Sequence, residues 1–151
     1  SSALEEGKAD ILGLYMVQRL RSMGEITEGE LMDDYVSFLA GIFRSVRFGA
    51  SSAHGRANMI RFNFFRESGA FSRDEATGTY RVHVPEFEKA IEELSAKLLI
   101  LQGDGVYDDV ADFIAEMGNV SPQLQADLDR LAAKSIPVDI VYDQGKEVLG
   151  L

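Results

Sequence analysis

The segment Glu5-Glu6-Gly7-Lys8-Ala9-Asp10 sets three carboxylates within six residues, directly ahead of the apolar run Ile11-Leu12-Gly13-Leu14-Tyr15-Met16. This pattern predicts a strongly apolar helix over residues 4–23, closed by Gly24, with a charged edge at its start. Glu6 and Asp10 stand one helical turn apart and share a side, while Glu5 lies about 100° round from Glu6 and can reach the same edge. Acids in a first helical turn favour the positive end of the helix dipole, and that alone accounts for such a cluster. The alternative is a cation or a set of donors from another segment that relieves their mutual repulsion, a metal ion first among them.

Helical spacing continues through most of the chain. Thr27 as N-cap with Glu30 three residues later gives a capping-box pattern, and Met32, Tyr35, Val36, Leu39, Phe43 and Val46 follow the helical repeat to Gly49. Ser51 or Ser52 caps a third helix running to about Glu67 and ended by Ser68-Gly69. Ala70-Phe71-Ser72 and Tyr80-Arg81-Val82-His83-Val84 then flank a polar, glycine-bearing linker, which reads as a β-hairpin. Pro85 opens a helix over 85–102, broken by Gly103-Asp104-Gly105. Shorter helices are expected over 106–117 and 122–134, the latter with Ser121 as cap and Pro122 in its first turn. Val138-Asp139-Ile140-Val141-Tyr142 alternates like a terminal strand. The expected fold is mainly α: a multi-helix domain with a small β-hairpin and a short C-terminal strand, residues 1–151 forming a single domain.

With 151 residues the chain is large enough to bury a real core. It has no cysteine, which excludes disulfides and thiol catalysis and fits a reducing compartment, the cytoplasm. No stretch approaches the roughly 20 apolar residues needed to span a bilayer, so no membrane partner is expected. The net charge of -10 argues against nucleic acid as a partner, which calls for a basic surface. The charge is uneven: Arg44 to Arg81 holds seven arginines, no lysine and only three acids, Glu67, Asp74 and Glu75, so it carries +4 against -14 for the remainder. Arginine without lysine points to planar pairing with carboxylates or phosphates, and the chain's own surplus acids are the plainest partners.

On the third helix His54, Asn58 and Arg61 fall at i, i+4 and i+7, a polar stripe among Met59, Ile60, Phe62, Phe64 and Phe65. A stripe of that size can face solvent. His83, alternating with Arg81 on the hairpin, is expected to be structural. Asp104, Asp108, Asp109 and Asp112 fail calcium-loop spacing and read as a solvated helix start. Glu93 and Lys97 are expected to pair at i,i+4.

Two of these blocks together resemble a known family. Glu5-Glu6-x-x-Ala9-Asp10 resembles the second zinc motif, E-E-x-x-[AR]-[ED], of the dipeptidyl peptidase III family of zinc peptidases, and Ile11-Leu12-Gly13-Leu14-Tyr15 matches its helix continuation. Phe48-Gly49-Ala50-Ser51-Ser52-Ala53-His54-Gly55-Arg56-Ala57-Asn58 resembles the family's later histidine-bearing helix. The blocks stand in the family's order, and the resemblance, nearest to bacterial members, runs over most of the chain. It implies that Glu6 is a zinc ligand, that Glu5 and Asp10 are acids behind it orienting the metal-bound imidazoles, and that His54 is the catalytic histidine near the metal. Asn58, Arg56 and Arg61 become substrate-side candidates, with a short peptide as substrate. Where better-known members carry Gly-Glu-Ala before the histidine this chain has Ser51-Ser52-Ala53, and Asn58 stands where they carry arginine.

The family's first motif, H-E-x-x-G-H, supplies two further ligands and the catalytic glutamate. It is absent here: the only histidines are His54 and His83. A catalytic zinc site needs three protein ligands, of which this chain offers one. The expectation is therefore a C-terminal piece of a larger zinc-hydrolase catalytic domain, cut upstream of Glu5. Its partner is the remainder of the parent enzyme, and alone it is inactive, with weak zinc affinity. Two other readings stand beside it. One is a helical protein-binding or regulatory module without metal chemistry. The other is part of a Nudix-fused hydrolase, although the Nudix glutamate motif is not present in this chain.

Overall fold

A computed structural model describes residues 2–139 and 142–151. The elements are α1 (Ser2–Ser22), α2 (Leu31–Val46), α3 (Ala53–Glu67), β1 (Phe71–Arg73), β2 (Tyr80–Val82), α4 (Val84–Asp104), α5 (Tyr107–Met117), α6 (Pro122–Ala133) and the short α7 (Lys146–Leu149). The architecture is mainly α with one small antiparallel hairpin, in which Phe71 faces Val82 and Arg73 faces Tyr80.

Most helices bury one stripe. Leu4, Gly7, Ile11 and Leu14 do so on α1, and Tyr35, Leu39, Ile42 and Val46 on α2. The exception is α3, where residues 57–63 and Phe65 are all buried. It is the central strut, packed against α1, α2, α4 and α5. Aromatic rings lock α2, α4 and the hairpin onto it: Phe65 and Tyr35 lie 4.5 and 4.6 Å from Phe87, and Phe62 lies 5.0 Å from Phe71.

A helix buried all round brings polar groups into the core and must find them partners. Asn63 donates to the carbonyls of Met117 (2.8 Å) and Asn119 (2.9 Å), tying the end of α5 to α3. Asn58 and Arg61, 8% and 3% exposed, do not form a solvent stripe; only His54, at the first turn, stays open.

Local chemistry moved several boundaries. The second helix starts at Leu31 rather than after Thr27, because Gly29 sits at φ +68, which a helix cannot pass through. The cap is shifted accordingly, and the Glu30 N–H donates to Asp33 Oδ2 at 3.1 Å. The fourth helix runs through Gly103 to Asp104, and it is Gly105, at φ +67, that takes the left-handed position and ends it. Lys97 does not pair with Glu93; its ammonium lies 4.9 Å over the Phe113 ring, and Glu93 instead meets Lys89 at 3.5 Å. The strand expected over 138–142 includes Ile140 and Val141, which lie outside the described residues, and Val138, Asp139 and Tyr142 take no strand pairing. Most arginines between Arg44 and Arg81 meet the chain's own acids and carbonyls: Arg44 lies 3.7 Å from Asp139, and Arg47 donates to the Pro137 carbonyl at 2.8 Å.

The hairpin is anchored to α6 by one carboxylate. Arg73 donates to both oxygens of Asp127, at 2.8 and 2.9 Å, and the Tyr80 hydroxyl donates to the same group at 2.6 Å. The Arg73 hydrogen bonds hold the Asp127 carboxyl down to about 2, helped by Tyr80 and opposed by burial, while burial and the Asp127 bond push the Tyr80 hydroxyl up. A carboxyl depressed by folding contributes stability above its unfolded pKa, about 3.9, and loses it as pH falls towards the folded value. Asp127→Asn is expected to cost about 2 kcal/mol at pH 7. In urea titrations its deficit relative to wild type should be full at pH 7 and shrink as pH drops from about 4 to about 2. A deficit that does not change over that range contradicts the assignment.

Candidate functional site

The charged start of α1 lies alongside the first turns of α3. Glu6 Oε2 is 3.4 Å from His54 Nδ1, and one turn further on Asp10 pairs with the Arg61 guanidinium. The two pairs advance in the same direction, so α1 and α3 run parallel here. Small residues fill the line between them: a Cβ at Gly7 would lie 3.8 Å from the Ala57 methyl and 3.6 Å from Leu98, ordinary packing distances.

The start of α3 is built to present His54. Ser52 caps it, accepting from the Gly55 N–H at 3.0 Å. Gly55 is required by close approach, because a Cβ there would stand 2.6 Å from the Gly49 carbonyl oxygen and 2.7 Å from Ala50 Cα. The preceding loop therefore lies directly against the turn that carries His54. The imidazole is 73% exposed and the Glu6 side chain 41% exposed, so the pair is open to solvent and to any further group.

Arg61 has the opposite character. Its guanidinium is buried over the Phe38 ring, 5.6 Å from the centroid. It donates to Asp10 Oδ2 and, at 2.6 Å, to Asn58 Oδ1. Burial lowers its pKa, and the charges of Asp10 and Glu6 oppose that shift.

The remaining expected residues lie on another side. Glu5 and Arg56, both exposed, line a cleft of about 990 Å³ whose far wall is Val110, Ala111 and Ile114 of α5. The structure thus brings Glu6 together with His54 and Asp10 together with Asn58 and Arg61, and it turns Glu5 and Arg56 to the cleft. Among the described residues no three His, Asp or Glu side chains gather as a metal cage. One half-exposed carboxylate beside an open imidazole fits a single corner of a zinc site and not a complete one.

No known protein-family pattern matches the chain. It is 38% identical over 139 residues to a protein of Arabidopsis thaliana called Nudix hydrolase 3, a match that takes in 92% of this chain and 18% of that protein. The solved structure of DPP III from Caldithrix abyssi superposes with a TM-score of 0.87 at 33% identity, over 97% of this chain and 28% of the other. Dipeptidyl-peptidase III from Corallococcus sp. strain EGB gives 0.86 at 37%, over 93% and 26%. The chain has a dipeptidyl-peptidase III-like fold. It spans roughly a quarter of these solved relatives and under a fifth of the plant protein.

Gly55 and Asn63 escaped the sequence reading. Gly55 carried a signal, since a glycine inside a helical pattern costs stability and implies close approach. Asn63 carried none, because its partners are backbone carbonyls more than 50 residues away. The two glycines Gly55 and Gly13 give opposite expectations. Gly55→Ala should destabilise by about 1–3 kcal/mol through backbone overlap. Gly13→Ala, on α1 with nothing within 4 Å of the added methyl, should stabilise by about 0.5–1 kcal/mol. Thermal melts of both variants check this, and equal shifts of one sign contradict it.

Proposed function

We propose that this chain is the part of a zinc-dependent peptidase of the dipeptidyl peptidase III type that contributes Glu6 as one metal ligand and His54 beside it. The observation that carries the reading is the 3.4 Å approach of Glu6 to His54 across parallel helices, in a fold shared with dipeptidyl-peptidase III chains at 33% and 37% identity. The other two ligands and the general base would come from an H-E-x-x-G-H helix outside this chain. Zinc, when bound, would supply Lewis-acid polarisation of the scissile carbonyl.

Several residues of the chain would have parts in that site. Glu6 offers an open carboxylate oxygen to the metal. His54, exposed and capped in position by Ser52 and Gly55, would donate an N–H towards negative charge developing on the carbonyl oxygen. Asp10 stands behind Glu6, held by Arg61. Glu5 and Arg56 present one charge of each sign to the adjacent cleft, suiting the ends of a short peptide whose terminal dipeptide is removed. The name of the plant relative does not redirect this reading, because the Nudix glutamate motif is not present in this chain.

The test compares zinc binding and dipeptide release by the full-length protein. Glu6→Ala should weaken zinc binding by about 100-fold, and His54→Ala should keep the metal but slow turnover by about 100-fold. The 151-residue chain alone should release no dipeptide. Tight zinc binding retained by Glu6→Ala would return the chain to a protein-binding module without metal chemistry.

A further inference from the structure

The family resemblance makes Arg61 a substrate-side candidate, yet its guanidinium faces inward. It is 3% exposed, donates to Asp10 on one side and Asn58 on the other, and lies over the Phe38 ring. Its Nε has no hydrogen-bond partner. A buried cation is costly unless an anion is held against it, and here that anion is Asp10, itself 53% exposed and one turn from Glu6. Two carboxylates at i and i+4 on one helix repel each other, and a cation at the second weakens the field at the first. The Asn58 contact fixes the other arm of the guanidinium, so the fork cannot swing out to follow a ligand.

We propose that Arg61 is a positioning residue: it clamps Asp10 to α3, relieves the Glu6–Asp10 repulsion, and leaves Glu6 turned to His54 and the metal corner. It contacts neither metal nor substrate. The inference rests on the reading of Glu6 as a zinc ligand and adds the reason that Glu6 can serve as one. Asn58 completes the clamp by orienting the guanidinium.

The experiment measures zinc affinity of the full-length protein by competition with a chelator, together with its melting temperature. The variants are Glu6→Ala, Arg61→Met, Asp10→Asn, the Arg61→Met/Asp10→Asn pair and Phe87→Leu. Arg61→Met and Asp10→Asn should each weaken zinc binding by about 10-fold, and the double variant should be no weaker than the weaker single. Phe87→Leu loosens the packing around α3 at Phe65 and Tyr35, away from Arg61; it should lower the melting temperature and leave zinc affinity unchanged. If Arg61→Met does not fold, Arg61→Lys keeps the charge and gives up Asn58, and a loss of several-fold in affinity is expected of it. Wild-type or tighter zinc affinity in the Arg61 variant, losses that multiply in the double, or an equal loss in Phe87→Leu overturns the proposal. Loss of zinc in Glu6→Ala alongside an unaffected Arg61 variant overturns the clamp alone; zinc retained by Glu6→Ala overturns the ligand reading and the clamp together.

Discussion

The structure depends on the burial of α3 on all sides. A helix in that position cannot leave its polar residues to solvent, so each becomes a fixed link to a neighbour. Asn63 ties down the end of α5, and Arg61 with Asn58 ties down Asp10 of α1. The second link sets the register of α1 against α3. With Asp10 pinned to Arg61, the parallel course of the helices brings Glu6, one turn earlier on α1, to His54 at the start of α3. The same polar contacts that hold the core together therefore place the acid and the imidazole on which the functional reading rests.

Burial also sorts the charged residues by task. Arg61 and Asp127 are buried, each paired with an opposite charge, and serve the fold. Glu6 and His54 are open, with a single long contact between them, and remain available to a third group. Glu5 and Arg56 face a cleft with an apolar far wall, which suits a ligand with charged ends and an apolar middle.

The sequence made the element types legible because the apolar repeats were long and the stops were chemical. The hairpin was visible in its turn: Asp74 Oδ1 accepts the N–H groups of Ala76 and Thr77 at 2.9 Å, and Gly78 takes φ +67. Boundaries shifted where a nearby glycine, Gly29 or Gly105, overrode a plausible cap or break. The Lys97 partner was lost to tertiary structure, since no helical spacing rule contains the Phe113 ring. For the site, the motif at Glu5–Asp10 and the His54 block located both helices. Which acid meets which partner was not legible. An i, i+4, i+7 stripe looks the same whether it faces water or a neighbouring helix, and only the packing of Phe38 and α1 over it made Arg61 an interior cation.

We propose that Glu6 of α1 donates an oxygen directly to a metal at the edge it shares with His54. Anomalous diffraction at the zinc absorption edge, on crystals of the zinc-loaded full-length protein, tests it most directly. An anomalous peak is expected about 2.0–2.2 Å from a Glu6 carboxylate oxygen, with Asp10 still bound to Arg61. A zinc peak elsewhere, with Glu6 turned to bulk water, would contradict it.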